Sequence, residues 1–201
     1  MILAGIFAGL LFLVLVISDW LHFTRIADAS SAYGCPVAKG HDTLTMDATR
    51  PWHERFDESG QLKLPHGLAR WHGEQQRIVL RPSYHLFSMR FRTAWPLKGT
   101  IEVRPDGDQL HFTNSKRMPW SSAIITAVWF AIVTVGTISF LTTYSLDGGF
   151  ATFGGLMMGL GMTALSLLIL LFGLMIFSLA YRLEDQRLKM IYQELRDLLA
   201  P

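Results

Sequence analysis

The sequence predicts an α+β membrane protein. Three transmembrane helices are expected, with a small antiparallel β-rich cytoplasmic domain between the first and second and an amphipathic helix at the C-terminus. Three observations carry that expectation. Apolar residues make up 50% of the chain, give it a mean hydropathy of +0.29, and gather in three blocks that charges avoid. Between the first two blocks the apolar residues alternate with polar ones, the period of a half-buried strand. After the third block they recur at helical spacing.

The first block, Ile2 to Ile17, holds no charged residue. At ~1.5 Å per residue it is ~24 Å long, a little short of a bilayer core. Ser18 and an interfacial Trp20 extend it. No Lys or Arg precedes it, and Ser18-Asp19-Trp20 follows where a cleavage site would need small residues. Residues 1–18 therefore read as a retained anchor rather than a signal peptide.

Residues 19–119 form the expected cytoplasmic domain. Over residues 18–62 periodicity is weak, and four cations face seven anions. "ADASSAYGCPVAKG" has loop composition. "TRPWHERFDESGQLKL" suggests a short helical turn and then a turn at Ser59-Gly60. Residues 63–117 carry ten cations against four anions. Here "RIVLR" (77–81), "FSMRFR" (87–92), "TIEVR" (100–104) and "QLHFT" (109–113) alternate as strands, and Asp106-Gly107 between the last two is a hairpin signal. The sheet should have one apolar face and one bearing Arg and His. So small a sheet needs a cover, from residues 18–62, from the tail or from a partner.

Residues 120–144 are the second span, 145–149 a short external turn and 150–181 the third span. In lipid, close backbone approach at small residues holds helices together. Ala123, Ala127 and Ala131 make such a stripe on the second span. Ala151, Gly155, Gly159 and Thr163 make one on the third, and the two are expected to face each other. No ionisable residue lies inside these blocks, which argues against a transporter, pump or channel. Residues 182–201 are the amphipathic tail, continuing the third span as one helix. Its stripe is Leu188, Ile191, Leu195 and Leu198, and it is expected to pack on the β domain.

Charge sets the expected topology. Of the 18 Lys and Arg residues, 14 lie between Arg25 and Arg117 and 4 between Arg182 and Arg196. The turn between the second and third spans has none. By the positive-inside rule the N-terminus is outside, and the domain and the C-terminus are in the cytoplasm of a bacterial inner membrane. Lys116 and Arg117, just ahead of the second span, would meet lipid headgroups.

For chemistry the sequence offers little. The seven histidines lie outside the spans but show no HxxxH, HExxH or CxxC spacing, and Cys35 is the only cysteine. No residue is assigned a catalytic, metal-binding or cofactor role, and no cofactor is expected. The informative feature is cationic: Arg90, Arg92 and Arg104, with Arg77 and Arg81, would form one surface for an acidic partner or anionic headgroups. Nucleic acid is not expected, since such a site would need more cations and exposed aromatics. The expected function is non-catalytic: an accessory, assembly or scaffolding subunit whose partners are the bilayer and other membrane proteins. Two rival readings are a redox, metal or haem protein using Cys35 and the histidines, and a module that binds anionic lipid.

Overall fold

The computed structural model describes residues 2–27, 30–45, 52–83, 93–107 and 109–200. Three α-helices, α1 (Ile2–Thr24), α2 (Trp120–Leu146) and α3 (Phe153–Leu199), are long and apolar enough to cross a membrane. Among the described residues six strands lie between α1 and α2: β1 (Cys35–Thr45), β2 (Gln61–Lys63), β3 (Gly67–His72), β4 (Arg77–Pro82), β5 (Lys98–Asp106) and β6 (Gln109–Met118). They form one antiparallel sheet in the order β1-β6-β5-β4-β3-β2. The chain divides into two compact units, Met1–Ser122 with Leu183–Pro201, and Ala123–Arg182.

In the first unit the alternation seen in the sequence becomes the two faces of the sheet. Ile78 and Leu80 of β4, Ile101 and Val103 of β5, and Leu110 and Phe112 of β6 share the apolar face, each no more than 2% exposed. The hairpin between β5 and β6 turns at Gly107, whose φ of +58° is one that glycine adopts without strain. The segment read as loop around Cys35 is instead β1, the longest strand of the sheet. Its own pattern is weak, and it is held by pairing with β6 from Cys35↔Met118 to Thr45↔Gln109. Strand formation at such a site is decided by the neighbouring strand more than by propensity. The strand expected over Phe87–Arg92, and Arg90 and Arg92 with it, lies outside the described residues.

The tail helix covers the apolar face. Leu188 packs against Gly99 and Ile191 against Gly67, at contact distances that would admit no further side chain. Leu188, Ile191, Leu195 and Leu199 are buried, while Leu198 is 40% exposed. This corrects the expected stripe: at 100° per residue, position 199 stays in line with 188 and 195, and 198 turns away. The short helical turn is a 3-10 segment, Trp52–Arg55, whose Trp52 ring meets Trp71 edge-on at 4.5 Å.

In the second unit, α2 and the first part of α3 pack through rings and glycines. The Trp129 ring of α2 occupies the space beside Gly173 of α3, and Phe150, in the turn between the two helices, occupies the space beside Gly159. Tyr144 Oη donates to Gly155 O at 3.0 Å. Thus Gly155 and Gly159 are close-approach positions, and Thr163 is half-buried on the same stripe. Ala127, Ala131 and Ala151 are exposed. Half-buried Ala123 leads into a seam of less exposed positions at Thr126, Phe130, Val133 and Thr137, of +3, +4, +3, +4 spacing, which leaves Ala127 and Ala131 to one side.

Candidate docking site at the sheet edge

Of the cations singled out in the sequence, Arg77, Arg81, Arg104, Lys116 and Arg117 fall among the described residues. Strand register puts Arg77, Arg81, Lys98, Arg104 and Arg117 on the face opposite the apolar one. Most of them are engaged within the chain. Arg77 pairs with Glu102 at 3.0 Å. Arg81 Nη1 donates to Thr24 O at 2.6 Å. Arg117 Nη1 donates to Gly34 O at 3.2 Å. Arg104 is exposed, opposite His111. Lys116 points to the apolar face, where it forms an ion pair with Asp185 of the tail.

The centre of this arrangement is a residue the sequence did not single out. Lys98 is 1% exposed; its Nζ donates to Phe23 O at 3.1 Å and Ser30 O at 2.7 Å, and stands 4.6 Å from the Phe23 ring centroid. Together Lys98 and Arg81 satisfy carbonyls at the C-terminus of α1, where the helix has no further amides to offer and the dipole favours cations. Thr100 Oγ1 adds a bond to Ser31 O at 2.9 Å. Burial, with the Arg117 charge as a second cause, lowers the Lys98 ammonium from the ordinary 10.5 to about 8.

A second clamp joins α1 to the first turn of α2. Asp19 Oδ2 accepts the Ser121 N–H at 2.9 Å and the Ser121 hydroxyl, and Tyr33 Oη donates to Oδ1. A carboxylate at the first turn of a helix satisfies an orphan amide and complements its dipole. Asp19 was read as lying beyond the first span. The helix runs seven residues past Ile17, which brings this carboxylate to the start of α2.

A third clamp fixes the tail. Besides Lys116–Asp185, His66 pairs with Glu194, Tyr192 Oη donates to Asp42 Oδ2 at 3.0 Å, and Thr93 Oγ1 donates to the buried Glu184 at 3.0 Å. The tail's polar pairs therefore reach β6, the turn before β3, edge strand β1 and the segment before β5. Such spacing was invisible in the sequence because each pair joins residues far apart along the chain.

Among the described residues, what the clamps leave open is the β1 edge. The Val103 N–H bonds Gln76 O at 2.9 Å, on the β4 side of β5, so the even residues of β5 bond β6. By the same alternation β6 turns Leu110, Phe112 and Asn114 toward Leu44, Asp42 and Gly40 of β1. The peptide groups of Lys39, His41, Thr43 and Thr45 then point outward. In agreement, the Thr43 N–H is bonded by the Asp42 side chain at 2.9 Å rather than by β6. Beside this edge, under the tail helix, a groove of about 280 Å³ is lined by Ala38, Gly40, Asn114, Lys116, Leu188 and Tyr192, among others. Gly40 leaves open space where a side chain would stand. Asn114 Oδ1 is buried there without a hydrogen-bond partner.

The histidines are dispersed. His41 contacts Thr113 at 3.3 Å, His66 contacts Glu194, and His111 lies 3.6 Å from Asp106. Among the described residues no three His, Cys, Asp or Glu side chains gather as a metal site would require. Comparison with protein-family models, curated proteins and solved structures found no match.

Proposed function

We propose that this chain is a non-catalytic accessory, assembly or scaffolding subunit of a larger membrane complex. On this reading it crosses a bacterial inner membrane three times, with the N-terminus outside and the sheet and C-terminus in the cytoplasm. The distribution of Lys and Arg supports that orientation. The observation that carries the function is the β1 edge. It is the longest strand of the sheet, and its outward peptide groups run beside a groove. Exposed edges of this kind are templates for pairing with another chain, and most folds shorten or cover them. The opposite edge, β2, has three residues.

The three internal clamps suit a scaffold. They use charged side chains to hold α1 and the tail on the sheet and to cap the first turn of α2, which gives a partner a fixed surface to meet. Exposed Ala127 and Ala131 on α2 offer a second contact, at which a foreign helix can approach closely. Purification of the full chain from its native membrane in mild detergent, followed by mass spectrometry, tests the proposal. Stoichiometric companion subunits are expected. A monomer with no companions would overturn it.

A further inference from the structure

The β1 edge also indicates what kind of partner it takes. We propose that an extended, acidic segment of a different chain adds to β1 as a seventh strand, with one of its apolar side chains in the groove. The inference rests on the docking reading above and deepens it by naming the chemistry of the partner.

Three features converge on this occupant. First, Lys39 and His41 present N–H and C=O groups outward in ladder geometry, so an added strand gains main-chain hydrogen bonds. The pairing is confined at both ends. The ladder is irregular between Pro36 and Ala38, and the Asp42 carboxylate, itself held by Tyr192, takes the Thr43 N–H. Second, the groove lies on the apolar-face side of this same stretch. Alternate side chains of an added strand point to that side, and the floor there is Ala38, Gly40 and Leu188. Third, the groove lining is net cationic: Lys39, Lys116 and Lys189 stand against one carboxylate, Asp42. Lys39 is exposed on the outer face, Lys116 and Lys189 share Asp185 between them, and Arg104 and His111 stand further along the cationic face, His111 at 3.6 Å from Asp106. On that face β1 carries Lys39, His41, Thr43 and Thr45, with no carboxylate. Acidic side chains on the incoming strand meet these cations.

A second copy of this chain fits poorly. A twofold axis normal to the sheet pairs β1 residues of equal parity, which sets Lys39 against His41 or Thr43 of the other copy and brings no acid to Lys39.

The test uses the full chain in its native membrane. A photo-crosslinking amino acid at Thr45, beside the confined stretch, is activated and the linked peptide sequenced. The same chain is prepared with His41→Pro, which removes one outward N–H and spares the bonds to β6, as proline at a sheet edge does. It is also prepared with Lys39→Glu. Thermal midpoints unchanged from the parent show that both variants fold. The linked peptide is expected to belong to another membrane-associated chain and to carry Asp or Glu in an alternating pattern. A synthetic copy of it should bind the parent in detergent and bind each variant about tenfold more weakly, the loss of one hydrogen bond or charge pair. Reversing its acid to Lys should restore binding to Lys39→Glu. Crosslinks to lipid, to this chain itself or to nothing would overturn the proposal, as would binding indifferent to both variants. Companion subunits that remain bound to both variants would leave the accessory reading standing while removing the seventh strand.

Discussion

Lys98 makes a sharp prediction about stability and pH. Burial holds its ammonium at about 8 in the folded chain, against 10.5 in the open. Between those values the unfolded chain binds more protons than the folded one. Stability therefore rises as pH rises through this window, is flat below about 8, and levels off above 10.5. A shift of this size corresponds to ~3 kcal/mol at ~1.4 kcal/mol per pH unit. The carbonyls of Phe23 and Ser30 offset part of the desolvation but bring no full negative charge to the site. Lys98→Met removes the titrating group and keeps an unbranched side chain in the same space. The assay is reversible denaturation of the full chain in mild detergent at intervals from pH 7 to 10.5, parent beside variant. Taking the difference cancels other lysines and tyrosines that titrate in both. The parent should gain ~3 kcal/mol relative to the variant across the window. A difference that does not change with pH would mean that Lys98 is solvated, and the account of how the sheet grips α1 would fail.

Other outcomes test the remaining clamps and the orientation. Ile191→Ala opens a cavity under the tail, where Ile191 is 0% exposed, and should cost ~2–5 kcal/mol in the same denaturation assay. Asp19→Ala removes the α2 cap and should cost ~1 kcal/mol, with Asp19→Asn costing less because an amide oxygen still accepts from Ser121. In the α2–α3 hairpin, Gly173→Ala should shift the intrinsic fluorescence of Trp129, whose ring fills the space the new methyl needs; an unchanged spectrum would contradict that packing. Cys35 is the chain's only thiol. A maleimide that cannot cross lipid should leave it unmodified in intact spheroplasts and modify it after permeabilisation, and labelling of intact cells would invert the proposed orientation.

The candidate site was less legible in the sequence than the fold. Alternation in "TIEVR" and "QLHFT" announced β5 and β6, because one face of each strand must be apolar to join a core. "CPVAKGHDTLT" announced nothing, since an edge strand buries little on either face and owes its conformation to β6. Arg77 and Arg81 looked like part of a surface because strand parity places them on one face. That α1 and the segment after it lie over the same face could not be read from parity. Cys35 and the histidines drew attention by residue type, whereas Asp19 and Lys98, which hold the helix ends, stood in segments with no pattern around them.

By itself, the sequence determined the three apolar helices, the antiparallel sheet between the first two, and the continuation of the third into an amphipathic tail. Hydrophobic periodicity is a local property, set by which residues must leave water, and it needs no knowledge of distant neighbours. Only the tertiary structure decided that β1 is an edge strand, that Leu199 rather than Leu198 completes the buried stripe, and that Lys98 and Arg81 close the end of α1. Those outcomes depend on backbone carbonyls, carboxylates and side chains brought together from far along the chain. Satisfying a buried polar group is a pairwise condition, met only once both partners are in place.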